Sequence, residues 1–357
     1  MRTLRRYLAT EIMTATALVI AALVMLFAFF DMVEQIKDLG RGAYTLRRIL
    51  IYMLLSLPDH IYALFPVAAL IGTLFALAQL VAGSEYTVMR TSGVSTAHFA
   101  AALASIGLLF AALTFVFGEF IAPPAQQLAQ RVRSQAVTGL VAQEFRSGLW
   151  IKDGRRFINV VEVQPDSTLK GIRIYEFDEE SQLRSVSFAK RGAYQIGRRW
   201  LLQDVVQTQF EKMRTTVHEF AEMEWQSVLD PGLINVLLVK PEQMSAWNLY
   251  SFSQHLRENR QKALRYEIAL WSKLFYPLAV LVMVVFALPF AHIQSRQAGV
   301  GAKIFAGIML GLLYYFLNRL FAHLGLLNDW PPFAVAIMPI AIFLSVAIAM
   351  MWWQERR

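Results

Sequence analysis

The chain has 357 residues, 56% of them hydrophobic and 17% charged, with a net charge of +8, a mean hydropathy of +0.43 and no cysteine. A soluble domain of this length builds its core with a smaller apolar share. Disulfides and thiolate metal sites are excluded, and the basic excess is dispersed rather than gathered into the concentrated patch that nucleic-acid binding needs.

In chain order, six apolar stretches reach or approach the roughly 20 residues that cross a bilayer. They cover 12–30, 61–82, 99–118, 274–291, 304–318 and 331–353. The first is too long for a signal peptide and has no small-x-small cleavage site before Asp31, so a retained anchor is expected. The second contains Pro66 and follows Pro58, and the fourth contains Pro277 and Pro289; these prolines are expected to kink or end helices. The fifth is the weakest, bracketed by Lys303 and Arg319, which snorkel to opposite interfaces if it spans.

Between the second and third stretches lies "SEYTVMRTSGVS", residues 84–95. Read as a short helix, it has Ser84 at the N-cap, Glu85 in the first turn and Gly93 as its stop. Tyr86, Met89 and Gly93 share one side of it. The bland reading is an amphipathic connector. The sharper one is a docking element for a separate protein, with Arg90 beside the contact.

After the third stretch the character changes. Residues 1–122 hold 15 charged side chains and residues 274–357 hold 7, against 38 in the 151 residues between. That is an aqueous insertion, and its period is two. "GLWIKDGRRFINVVEV" carries a turn signal at Asp153-Gly154, and "LKGIRIYEF" and "LRSVSFAK" flank "DEESQ". "RRWLLQDVVQTQF" and "TTVHEFAEMEW" alternate likewise, which predicts an antiparallel sandwich or jelly roll. Pro231 and Pro241 end the strands, and residues 246–271 read as one helix leading into the fourth span. The fifth span carries Gly307-x-x-x-Gly311, a small-residue face for close helix packing whose partner lies in this chain or another.

No catalytic constellation is present. "GVGAKIF" lacks the spacing of a phosphate-cradling loop, there is no H-E-x-x-H, and the six histidines are scattered. With both termini in the cytoplasm, Arg2, Arg5, Arg6, Arg90, Arg296, Lys303, Arg356 and Arg357 lie inside, against Lys37, Arg41, Arg47 and Arg48 in short outer loops. The four outer cations oppose the rule. Together with Arg131 and Arg133 in the helix leaving the third span, they suit an anionic lipid or phosphorylated ligand, or else form a solvated face.

The chain resembles the LptF/LptG family of lipopolysaccharide export permeases, most closely its LptG branch. The carriers are "SEYTVMRTSGVS", "GEFIAPPAQQLAQRVRSQA", "GLWIKDGRRFINV" and "RYEIALWSKLFYPLAVLVMVVFAL". The resemblance implies a polytopic α-helical membrane protein of six transmembrane helices with an inserted all-β jelly-roll periplasmic domain. The spans and coupling helix fall in 1–122, the β domain with its flanking helices in 123–265 and the last three spans in 266–357. It implies a permease subunit of an ABC-type transporter in the inner membrane of a Gram-negative bacterium, not itself an enzyme and binding no cofactor. An LptF-type permease, an LptB-type ATPase dimer using ATP and magnesium, and a single-span LptC-type protein are the implied partners, and lipopolysaccharide the cargo. Lys37 and Arg133 match the family's headgroup positions. Asp38 stands where a second lysine often follows, with Arg41 and Arg131 as nearby substitutes. Glu85, Tyr86, Met89, Arg90 and Gly93 fall in the family's ATPase-coupling loop. The alternatives are a permease for lipoprotein release or peptide export, and a non-transporting receptor or scaffold.

Overall fold

A computed structural model describes residues 2–40, 43–136, 148–163, 168–195, 199–211, 214–227, 240–259, 261–293 and 300–356. Among the described residues, six helices are long and apolar enough to cross a membrane, at Arg5–Ile36, Leu46–Ala82, Thr96–Arg133, Leu264–Phe290, Ile304–Leu327 and Pro332–Gln354. They belong to α1 (Arg2–Ile36), α2 (Leu46–Ala82), α4 (Thr96–Val116) with α5 (Ala122–Ala136), α7 (Leu264–Ile293), α8 (Val300–Leu327) and α9 (Pro332–Glu355). The short α3 (Glu85–Thr91) sits between the second and third.

These helices outrun their apolar stretches. α2 has 37 residues, a length of about 55 Å at 1.5 Å per residue, against a hydrocarbon core of about 30 Å. Its ends therefore stand in the interface and in water. Pro58 and Pro66 lie inside α2, and Pro277 and Pro289 inside α7, without ending either helix. Between α4 and α5 the chain makes one π-helical segment, Phe117–Ile121, so the third span continues into α5 as an uninterrupted rod.

In lipid, burying one apolar side chain against another displaces only lipid, so close approach of backbones decides which helices pair. Gly72 of α2 lies against the backbone of Thr16 in α1, and Gly107 of α4 against that of Leu281 in α7. Gly307 and Gly311 of α8 face Ile71, Leu74 and Val67 of α2. The small-residue face thus has its partner within this chain. Leu8, Ile12, Leu70, Leu77, Phe99, Leu103, Phe286 and Phe343 fill the core these crossings enclose.

The insertion forms one antiparallel sheet, β1 (Leu149–Asp153), β2 (Arg156–Val163), β3 (Leu169–Phe177), β4 (Leu183–Gln195), β5 (Arg199–Glu211) and β6 (Arg214–Gln226), ordered β1-β2-β3-β4-β5-β6. The expected all-β domain is present. Its described strands run as a meander in chain order, without a Greek-key crossover among them. Gly154 takes φ +59 at the predicted first turn, and Asp178 Oδ1 accepts from the amides of Glu180 and Gln182 at the next.

One face is apolar, with Ile158, Val160, Ile172, Ile174, Trp200, Leu202 and Trp225 buried. Along β3, β4 and β5 the inward positions alternate until one row, where they stand three apart instead of two: Leu169 and Ile172, Ala189 and Gly192, Leu202 and Val205. The intervening residues include Gly171 (φ 65) and Asp204 (φ 53), left-handed positions that let the strand change the facing of its side chains. A crease therefore crosses the sheet while keeping both halves of the inner face apolar.

The segment expected as one helix before the fourth span is two. α6 (Ala246–Glu258) follows a 3-10 turn at Pro241–Gln243 and ends at Asn259, before α7 begins at Leu264. Arg257 Nε donates to Glu267 Oε1 at 2.6 Å across the break, and Phe252 packs edge-on against Tyr266.

Candidate functional site at the two ends of the bundle

Where α1 ends and α2 begins, the chain gathers charged side chains from distant segments. Tyr44, 1% exposed, donates to Gln35 Oε1 at 2.8 Å. Burial pushes its phenol up to about 12, so it stays a neutral donor. The Ala43 amide donates to the Ala136 carbonyl at the end of α5, which ties this loop to the helix leaving the third span.

That tie brings Arg133 to Asp38, with Nη2 donating to Oδ2 at 3.1 Å, and places its guanidinium 6.0 Å from the centre of the Tyr52 ring. Asp38, standing where a second lysine was expected after Lys37, is thus the ion-pair partner of Arg133. Arg133 Nε is buried and has no hydrogen-bond partner among the described residues. Lys37, in the turn after α1, and Arg131, on α5, are both exposed. Arg41 lies outside the described residues.

Deeper along the same end are groups that periodicity did not mark. His60 Nε2 lies 3.0 Å from Asp31 Oδ2, while its Nδ1 approaches the Ser56 carbonyl. Asp59 accepts from Gln243, Glu119 from the start of α6, and Lys273 donates to the Met244 carbonyl. The available signal was an ionisable residue inside an otherwise apolar helix, which is costly unless partnered. A single sequence does not say which partner.

At the other end of α2, α3 forms as expected, and Gly93 takes φ +91 just past its last turn. Ser84 occupies the N-cap position as expected, though in a left-handed conformation (φ 60) and without a side-chain cap, and one reading of this helix is corrected. Tyr86 is 8% exposed, its ring 4.8 Å from that of Phe99, because a ring beside this apolar core is better packed than wet. Met89 also packs partly on the core. The Tyr86–Met89 side therefore faces the bundle. The surface on offer is Glu85, Thr87, Val88 and Arg90, with Val88 61% exposed. Tyr7 of α1 donates to Glu85 Oε2 at 2.9 Å, and Arg90 Nη1 donates to Thr96 Oγ1 at 3.1 Å. An outward helix of two turns, braced by α1 and by the next span, can transmit a push into both.

The sequence profile of the lipopolysaccharide export system permease LptF/LptG matches residues 6–353. The chain belongs to the LptF/LptG family. Among its relatives, the lipopolysaccharide export system permease protein LptG of Escherichia coli (strain K12) is 32% identical over 97% of this chain and 96% of its own length. The LptG protein of Haemophilus influenzae is 31% identical over 98% of this chain and 97% of its own length. An LptF/LptG permease is a transport subunit, in keeping with a chain that has no phosphate-cradling motif. The match is end to end, so the spans, the α3 loop and the sheet all belong to the shared architecture.

Proposed function

We propose that this chain is a permease subunit of an ABC-type transporter that takes lipopolysaccharide from the inner membrane and passes it toward a periplasmic bridge. The observation that carries the reading is the family match over both the spans and the inserted sheet, since a four-span exporter permease or a receptor would not share the whole. ATP and magnesium are used by a separate LptB-type dimer, against which α3 docks. Both termini are cytoplasmic and the sheet is periplasmic.

The physical mechanism is closure of a lipid-accessible cavity. The most apolar windows of the first and fifth spans are each 17% buried within the chain, against 67% for the second. Those two spans retain the faces that an LptF-type permease and an LptC-type helix cover. At the outer mouth, Lys37 and Arg133 hold headgroup phosphates, with Arg131 as a further contact and Arg41, outside the described residues, as another candidate. The half-buried setting of Arg133 supports this, because Asp38 engages Nη2 of its guanidinium and the rest of the fork keeps donors for a phosphate oxygen. Movement at α3 then drives the mouth shut, and the cargo's acyl chains leave along the apolar face of the sheet.

A pull-down in detergent with mass spectrometry of the bound subunits tests this. An LptF-type permease and an ATPase should co-purify with the chain, and the reconstituted set should release lipopolysaccharide with ATP. Recovery of the chain alone, or of partners that hydrolyse ATP while leaving the lipid in place, defeats the reading.

A further inference from the structure

We propose that α6 is the joint that carries bundle movement to the sheet, with Asp59, Glu119 and Lys273 as its positioning residues; this rests on the transport reading above. Three spans converge on a single five-residue segment. From α2, Asp59 Oδ2 accepts from the side-chain amide of Gln243 at 2.8 Å. From the π-helical segment of the third span, Glu119 accepts from the Ala246 amide at 2.8 Å and from the Trp247 amide at 3.3 Å, one with each carboxylate oxygen. From α7, Lys273 donates to the Met244 carbonyl and lies 5.6 Å from the Tyr62 ring.

Each contact has a reason to be held firmly. The first amides of a helix have no partner within it, and a carboxylate there also meets the positive end of the helix dipole. Ser245 Oγ fills the remaining cap by accepting from the Asn248 amide. The π-helical segment adds one residue to a turn, and such a segment commonly marks a functional position in a helix. Here it holds Glu119 at a crossing where Gly118 lies hard against the Tyr62 ring. Tyr276 donates to the Ala63 carbonyl, binding α7 to α2 beside the cluster. Met244, Leu249 and Phe252 are buried beneath α6, so the helix is seated along its length as well as held at its start.

The far end of α6 meets the sheet. Asn259 Oδ1 accepts from the Gly154 amide at 3.2 Å, in the turn between β1 and β2. α6 therefore spans from a three-helix clamp at one end to the first hairpin at the other. Spans that shift against one another must move the clamp, and a helix seated as a rigid rod passes that displacement to the hairpin instead of losing it in a loop.

The test uses the reconstituted complex in lipopolysaccharide-containing vesicles. Because the chain has no cysteine, Ser181→Cys and Asn328→Cys place single spin labels in the β3–β4 turn and past the end of α8. The readouts are the distance distribution between labels and the cargo reaching an external acceptor per ATP hydrolysed. With Glu119→Ala or Lys273→Met, the distribution should broaden and the ratio fall about ten-fold, the scale of one lost charge-assisted contact, while hydrolysis persists. A residue that merely supports folding lowers the amount of complex without changing that ratio. Asp59→Asn, which keeps an acceptor for Gln243, should stay close to the parent. Should the alanine or methionine variant fail to assemble, Asp59→Cys with Gln243→Cys replaces the contact by a short cleavable crosslink. Crosslinked complex should then transfer cargo, and cleaved complex should not. Unchanged distances and ratio in the first pair, or equal transfer with and without the crosslink, overturns the joint. A parent complex that hydrolyses ATP and moves no lipopolysaccharide sinks the transport reading instead, and the label distances still decide whether α6 couples the two parts.

Discussion

The two ends of α2 handle polar groups in opposite ways. Around α3 the contacts are short-range and exposed: Arg90 with Thr96, Ser95 with His98, Thr91 with its own helix. Tyr7 with Glu85 is the long-range exception. At the opposite end the partners come from distant segments and are half-buried: Asp38 with Arg133, Asp31 with His60, Asp59 with Gln243, Glu119 with the start of α6. Exposed polar pairs contribute little to stability and leave a surface free to meet another protein. Desolvated pairs are costly to break and hold segments in register. One end leaves its polar surface open, and the other ties distant segments together.

The comparison is sharpest at Tyr86, the residue of the exposed end that behaves like the buried one. Tyr86→Ala removes a ring packed on Phe99 and should destabilise by about 3–4 kcal/mol, the usual loss for a buried aromatic. Thermal unfolding in detergent should show it as a clear drop in midpoint, and Tyr86→Phe should recover most of it. If Tyr86→Ala unfolds like the parent, the ring is not part of the core and α3 is free to turn its other face outward.

Next in size is Arg133. Arg133→Ala strands Asp38 in a half-buried position and should cost about 2 kcal/mol, below the range for a fully buried pair because the partners keep 22% and 16% exposure. Asp38→Asn combined with Arg133→Ala should regain stability without regaining lipopolysaccharide crosslinking. Crosslinking that survives in this double variant removes Arg133 from the headgroup site and leaves it purely structural. Lys37→Asp is the reference, since an exposed turn residue should alter cargo loading with little effect on the midpoint.

What the sequence made legible follows the same division. The spans were readable because hydropathy is local and additive, and the hairpins because alternation with Asp-Gly and Glu-rich breaks is local too. The α3 stop at Gly93 was readable for that reason. Pairings such as Glu119 with Ala246 were not, because they join residues more than a hundred positions apart and obey no period. The inward turn of Tyr86 was missed since a two-turn helix has too few residues to reveal which side is apolar. The break at Asn259 was missed because residues 246–271 keep helical composition across it. Asp38 was read as a lost cation, whereas the fold sets its carboxylate, in the turn after α1, 3.1 Å from the Arg133 guanidinium of α5, a contact 95 positions away that no local pattern marks.

The smallest effect on stability is expected at Glu85, and it is the one that separates surface from structure most cleanly. Its carboxylate is exposed and accepts one hydrogen bond, from Tyr7 at 2.9 Å. Glu85→Lys forfeits that bond and the favourable placement of a carboxylate in the first turn of a helix, both small effects at an exposed, solvent-screened site. The midpoint should therefore move by only a few degrees. If α3 docks on the ATPase through Glu85 as proposed, association should fall much more, because exchanging an attraction for a repulsion at an interface costs several kcal/mol. Glu85→Gln separates the terms: it keeps an acceptor for Tyr7 and removes the charge, so it should retain the parent's midpoint while weakening association at low salt. The measurement pairs a melting curve with ATPase co-elution on one column, across a salt series. An unchanged midpoint with unchanged co-elution for Glu85→Lys means that the docking surface lies on Val88 and Arg90 instead. A large drop in midpoint means that the Tyr7 contact holds α3 in place, and the two ends of α2 are then more alike than their burial implies.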